Sequence, residues 1–223
     1  MKSLKRSLLA VAGLALVANP SPAAEDQAAA TVEIDGVEWH SLFNGEDLTG
    51  WKPGGENPDS FAVEDGNIVV EGPRDHLYYA GPVPDADFDD FHFRCEVRTE
   101  PKANSGVFFH TQWQERGWPS VGYEAQVNAS HGDAIKTGSV YAVANVMNDA
   151  PHEDGEWFLY EILVEGDTIT LKVDDDVVNK YTEKPGDVRG KRKLSSGTFA
   201  LQAHDPESRV MFRNLYVRPL GGE

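Results

Sequence analysis

The sequence predicts an all-β sandwich, and three observations point to it. Short apolar runs alternate with period two, Gly, Asn, Asp and Pro turns separate them, and no helical amphipathic run of useful length follows the first 24 residues. A chain of 223 residues with 40% hydrophobic content can fill a single core, and one domain is the expectation for an all-β chain of this size. No internal repeat is evident.

The chain opens on a leader pattern. Lys2, Lys5 and Arg6 precede an apolar run over residues 8–18 that is too short to span a bilayer, and Ser21-Pro22-Ala23 supplies small residues for cleavage. The expected organisation is a signal peptide over 1–24, a linker over 25–38 and one domain over 39–220. Such a protein is exported to the periplasm or the extracellular space, with no membrane insertion after the leader is cleaved. Cys95 is the single cysteine, so no intrachain disulfide forms and core packing must hold the fold. The formal charge of −17 becomes more negative once the three leader cations are removed. A surface of that sign repels phosphate backbones and excludes nucleic acid as a partner.

In order, Trp39, Leu42, Phe43 and Trp51 read as core anchors around the Asn44-Gly45 turn, which suits positive φ angles. Residues 61–63 and 68–70 flank Glu64-Asp65-Gly66-Asn67 as a hairpin, and Leu77-Tyr78-Tyr79 reads as a short strand. Phe91, Phe93, Cys95 and Val97 alternate inward, which makes Cys95 a buried small hydrophobe. Residues 138–143 read as a strand, and 157–164 with 168–173 as a hairpin around Glu165-Gly166-Asp167. The segment 189–193 reads as a solvated basic loop. Residues 198–203 and 209–217 close the chain as two strands joined by His204-Asp205-Pro206-Glu207-Ser208.

Residues 104–127 carry the chemistry-bearing pattern. Val121, Tyr123, Ala125 and Val127 share one face of a strand, which leaves Gly122, Glu124, Gln126 and Asn128 on the other. A solvated sheet face gives the same alternation. The loop before it places Trp113 and Trp118 among Gln112, Gln114, Glu115 and Arg116, and aromatic faces beside amides and carboxylates suit a sugar ring. Gln202 and His204 repeat the pattern, as does Arg213. If their strands lie beside the Glu124 strand, these residues and His110 converge on one surface.

The templates for nucleotide, zinc-protease and serine-nucleophile sites are all missing: there is no Gly-x-Gly-x-x-Gly, His-Glu-x-x-His or Gly-x-Ser-x-Gly. No cofactor is required by the sequence, although His110, Glu124 and His204 are residue types able to hold a divalent metal ion. Asp174-Asp175-Asp176 lacks the spacing of a calcium loop and reads as a turn.

Five ordered motifs resemble the 3-keto-disaccharide hydrolase domain family, formerly a domain of unknown function. They are Leu42-Phe43-Asn44-Gly45 with Gly50-Trp51, Asn104-Ser105-Gly106-Val107-Phe108-Phe109, Gly122-Tyr123-Glu124-Ala125-Gln126-Val127, the 157–162 strand, and Leu201-Gln202-Ala203-His204 with Phe212-Arg213-Asn214-Leu215. The resemblance covers about 39–220. It implies a jelly-roll sandwich of two antiparallel sheets, the concanavalin A-like lectin/glucanase fold, and an oligosaccharide or glycoside as substrate. Phe158 and Asp175 depart from the family's usual Asn and Asn-Gly. The strand of ordinary glucanases, Glu-x-Asp-x-x-Glu, is also absent, since Gln126 and Ala129 stand where its later acids would be.

The resemblance implies cleavage of the glycosidic bond of 3-keto-glycosides, by base-initiated elimination and hydration or by hydrolysis. Glu124 or His204 would be the base, and Arg213 or a divalent ion would stabilise the enolate. Gln126 and Gln202 would orient hydroxyls, with His110, Trp113, Trp118, Tyr123 and Tyr141 as further substrate contacts. The reading from another functional class is a non-catalytic carbohydrate-binding module, in which Trp113, Trp118, Tyr123 and Tyr141 matter most.

Overall fold

The computed structural model describes residues 30–186 and 192–221; the leader and most of the basic loop lie outside the described residues. Among the described residues fourteen strands run in order: β1 (Thr31–Ile34), β2 (Val37–Ser41), β3 (Trp51–Pro53), β4 (Phe61–Glu64), β5 (Asn67–Glu71), β6 (Asp75–Tyr79) and β7 (Phe91–Thr99). The second half holds β8 (Ser105–Thr111), β9 (Tyr123–Val127), β10 (Trp157–Glu165), β11 (Thr168–Val173), β12 (Asp176–Thr182), β13 (Thr198–Ala203) and β14 (Arg209–Pro219). No helix among the described residues is long and apolar enough to cross a membrane.

Two antiparallel sheets form the jelly-roll sandwich. The larger has nine strands, in the order β1-β2-β14-β7-β10-β11-β12 with the β4–β5 hairpin joined to β14 through β5, and the smaller has five, β3-β6-β13-β8-β9. Alternate residues of β7, β10 and β11 (Phe91, Phe93, Cys95, Val97; Phe158, Tyr160, Ile162, Val164; Ile169, Leu171, Val173) meet Leu77, Val107, Phe109, Tyr123, Ala125, Val127, Phe199 and Leu201 of the smaller sheet in one core. This is the packing expected when each sheet has one apolar face. Trp39, Leu42, Phe43 and Trp51 are buried, and the Trp51 indole N–H donates to the Leu42 carbonyl at 2.7 Å.

Three local expectations need correction. Residues 31–38 of the expected linker pair as the β1–β2 hairpin, with Thr31 opposite His40 and Ile34 opposite Val37; Asp35-Gly36 is a turn dipeptide able to take positive φ at both residues. The expected strand at 138–143 is a series of turns. Gly138 and Ala142 have positive φ, and the Val140 carbonyl accepts from both Val143 and Ala144. Third, β8 carries an irregularity opposite β13: Thr198 faces Thr111 and Ala200 faces Phe108, so Phe199 spans both Phe109 and His110. At this bulge His110 has φ 52°, and its ring turns in beside Phe91 and Phe109.

Candidate functional site

The site is built on the outer face of the smaller sheet. Across it, Tyr78, Ala200, Phe108 and Glu124 form one row. In the next row Gln202 lies opposite His76, and Gly106 opposite Gln126; the Leu201–Val107 pairing sets Gln202 beside Gly106. Tyr78, Phe108 and Ala200 are a small apolar cluster separate from the main core, so Glu124 stands beside an apolar floor. Gly106 leaves room for the carboxylate: a Cβ there would sit 2.5 Å from Glu124 Oε1 and 2.9 Å from its Cγ. The Glu124 side chain therefore lies across Gly106 and meets Gln202, whose Nε2 donates to Oε1 at 2.9 Å.

Electrostatics single out this carboxyl. Glu124 is only 6% exposed and makes no ion pair among the described residues; burial pushes it up to about 8, against smaller downward effects of the Arg192 charge and the Gln202 hydrogen bond. Glu161, equally buried on the larger sheet, goes the other way. Burial alone would raise it, but His92 Nε2 and Lys172 Nζ, each 2.9 Å away, bring it down to about 2. One buried glutamate is a satisfied structural ion pair, and the other is poised near neutrality. Around Glu124, Gln126 Oε1, Gln202 Oε1, His76 Nε2 and the Tyr78 hydroxyl are buried without hydrogen-bond partners. Buried polar atoms are nearly always paired, so four on one face form a cradle suited to a hydroxyl-rich ligand.

Two further groups border the cradle. Gln126 Nε2 donates to Asn104 Oδ1 at 3.0 Å, and Asn104 Nδ2 donates to His131 Nδ1 at 3.2 Å. The His131 ring lies 5.5 Å from that of His204, and His204 lies 5.4 Å from Trp118. Trp118, 44% exposed, also meets His76 edge-on. Burial, with the Arg74 charge, pushes His76 down to about 3, so its imidazole is neutral. His131, His204 and Asp205 offer ligand atoms within 4.8 Å of one another, a donor set capable of holding a divalent metal ion.

Of the expected site residues, Glu124, Gln126, Gln202, His204 and Trp118 gather here, with Tyr141 near them: its backbone N–H donates to the Glu124 carbonyl and its hydroxyl to Asp133 at 3.1 Å. Arg213 does not. It lies on β14 in the larger sheet, where its guanidinium bonds Glu96 at 2.6 and 2.8 Å and covers the Trp157 ring, on the far side of the core. Tyr123 is a core residue whose hydroxyl donates to Glu183. His110 is turned inward by its bulge, with Nε2 bonded to the Asp89 carbonyl and Nδ1 accepting from Ser195 N–H. The expected metal set of His110, Glu124 and His204 is thereby broken, since both His110 nitrogens are occupied. Trp113 is 44% exposed, but its indole N–H is tied to Pro53 and Lys52 covers its ring at 3.7 Å. His76, Gly106, His131 and Asp205 were missed. The only cue for His76 was its polarity at the edge of an apolar run, and its pairing with Gln202 is a property of the sheet order.

The fold is shared with solved carbohydrate-related proteins. Two proteins from Parabacteroides distasonis, provisionally named glycosyl hydrolases, superpose with TM-scores of 0.69 and 0.64 at 22% and 18% identity; the matches cover 82% of this chain in each case, and 94% and 99% of theirs. The carbohydrate-binding module CBM66 from Bacillus subtilis gives 0.53 at 15% identity over 74% of this chain and 93% of its own. At such identities the likeness speaks to architecture alone. A comparison with curated protein sequences finds no match. The sequence itself goes further, because residues 38–218, which take in the whole smaller sheet and every residue of the cradle, match one family model: the chain belongs to the 3-keto-alpha-glucoside-1,2-lyase-like domain family.

Proposed function

We propose that this carbohydrate-active protein is an exported lyase that opens the glycosidic bond of a 3-keto-glycoside, with Glu124 as the base. The observation that carries this reading is the buried Glu124 carboxyl, held up at about 8 among four unpartnered polar atoms. A ketone at C3 acidifies the C2 proton. Glu124 takes that proton, the electron pair forms the C1–C2 double bond, and the C1 oxygen departs with its aglycone and gains a proton. The products are a 1,2-unsaturated 3-keto sugar and the aglycone alcohol, and water can add to the former later. One base near neutrality is enough for this step, whereas a retaining glucanase needs two carboxylates. Gln126 on β9 and Ala129 just after it stand where further acids would be needed.

The remaining roles follow from the cradle. Gln126 and Gln202 present carbonyl oxygens to sugar hydroxyls. The Tyr78 hydroxyl, its acidity suppressed by burial, and the neutral His76 are the donors available to a developing C3 oxyanion. Trp118 borders the ring. The test is to incubate the protein with a 3-keto-glucoside bearing a chromogenic aglycone and with the unoxidised glucoside. Release is expected from the first alone. Arg213→Gln is expected to leave that rate unchanged within about twofold and to cost at most about 1 kcal/mol of stability, the scale of a surface ion pair. Sugar binding without release from either compound would instead favour a non-catalytic binding module resting on Trp118.

A further inference from the structure

We infer that His204 is the second proton-transfer group of the site, the acid that protonates the departing C1 oxygen, and that Asp205 is the residue that positions it. This rests on the lyase reading above. His204 follows β13 two residues after Gln202, and its Nδ1 lies 2.7 Å from Asp205 Oδ2. Asp205 is itself pinned: Ser208 Oγ–H donates to Oδ2 at 2.7 Å and Glu207 N–H to Oδ1 at 2.9 Å. Ser208 is held in turn by the Asn104 N–H at 2.9 Å. Burial would raise the Asp205 carboxyl, but the bonds from Ser208, His204 and Glu207 together bring it below its ordinary value. An ionised acceptor at Nδ1 keeps the proton there and leaves Nε2 to exchange protons with substrate.

His131 supports a proton-handling arrangement over a metal-holding one. Its Nδ1 accepts the Asp133 backbone N–H at 3.1 Å, and a backbone amide can only donate, so the proton of the neutral ring sits on Nε2. That nitrogen is 4.0 Å from Asp205 Oδ2. A metal-ligating histidine shows the reverse, donating its other ring N–H outward; to ligate here, His131 would have to give up the Asp133 amide. Asp205 thus faces an N–H on each side. The titratable groups around His204 are Asp205, His131, His76 and, through Gln202, Glu124. In one turnover Glu124 gains the C2 proton while His204 gives its Nε2 proton to the aglycone oxygen and keeps the Nδ1 proton that faces Asp205. Exchange with solvent restores both.

Nitrogen NMR of the full chain labelled at histidine reads the tautomer directly, with or without turnover. Neutral His204 is expected as the Nδ1–H form in the native protein and to shift toward Nε2–H in Asp205→Asn. With a poor leaving group such as an alkyl 3-keto-glucoside, Asp205→Asn and His204→Gln are expected to lower kcat about 100-fold with little change in KM, and Asp205→Glu to restore part of it. With a nitrophenyl aglycone, which needs no acid, the loss should nearly vanish. An Nε2–H tautomer in the native protein, a loss independent of the leaving group, or chelator-sensitive turnover restored by Zn²⁺ or Mn²⁺ together with metal-induced shifts of the His131 and His204 resonances would overturn the inference. If the native protein releases no aglycone at all, the lyase reading fails, and the tautomer measurement still decides whether Asp205 sets His204.

Discussion

Glu124→Gln is expected to make the protein more stable while reducing turnover by about 1,000-fold or more, within the usual range for loss of a general base. The stability gain follows from proton linkage. In the unfolded chain the Glu124 carboxyl ionises near its ordinary value of 4.5, and in the folded chain near 8. Between those values the folded state binds the extra proton, so stability falls as pH rises, and above about 8 the full cost of burying the charge is felt. At pH 8–9 that cost is about 3–5 kcal/mol, at ~1.4 kcal/mol for each pH unit that separates the two values. Glutamine keeps an oxygen for the Gln202 donor, and its amide can reach the unpartnered oxygens of Gln126 or Gln202. Urea unfolding of both proteins at pH 4, 7 and 9 checks this: the curves should coincide near pH 4 and separate progressively above it. With a nitrophenyl aglycone, which needs no acid, the kcat/KM of the native protein should rise with pH and level off above about 8, as the Glu124 carboxylate forms.

Gly106→Ala is expected to cost about 100-fold in turnover without unfolding the protein. Gly106 sits in β8 between Gln202 and Gln126, and its backbone conformation is one that alanine accepts. The added methyl would lie 2.5 Å from Glu124 Oε1, and a flexible carboxylate yields before a sheet does. Displacing a base by about 1 Å is enough for a loss of that size. Circular dichroism and thermal unfolding should be close to native, with the defect confined to kcat and to the Glu124 ionisation seen in the pH profile. Undiminished turnover would show that the carboxylate over Gly106 is not the working base.

The cradle was half legible in the sequence for a physical reason. Period-two alternation assigns residues to faces, and it set Glu124 with Gln126, and Gln202 with His204, correctly. It says nothing about which strands are neighbours. Arg213 converges with Gln202 only if the strands at 198–203 and 209–217 both lie beside the Glu124 strand. Instead the 204–208 connection passes from one sheet to the other, and β14 pairs with β2, β5 and β7. Alternation also fails where register slips, as at His110, where one extra residue in β8 reverses the side-chain direction. Gly106 escaped notice because its contribution is the side chain it lacks. His131 lies on a turn-rich connection with no periodicity to read, and its meeting with His204 depends on the ends of β9 and β13 lying close in space.

The most direct test of the central claim follows the C2 hydrogen of a 3-keto-glucoside. With substrate deuterated at C2, aglycone release by the native protein is expected to show a primary kinetic isotope effect, with a conjugated 1,2-unsaturated 3-keto product appearing in step with it and Glu124→Gln producing neither. Release at an undiminished rate with the C2 deuterium retained and solvent oxygen entering at C1 would mean direct hydrolysis, and would contradict Glu124 as the base of an elimination.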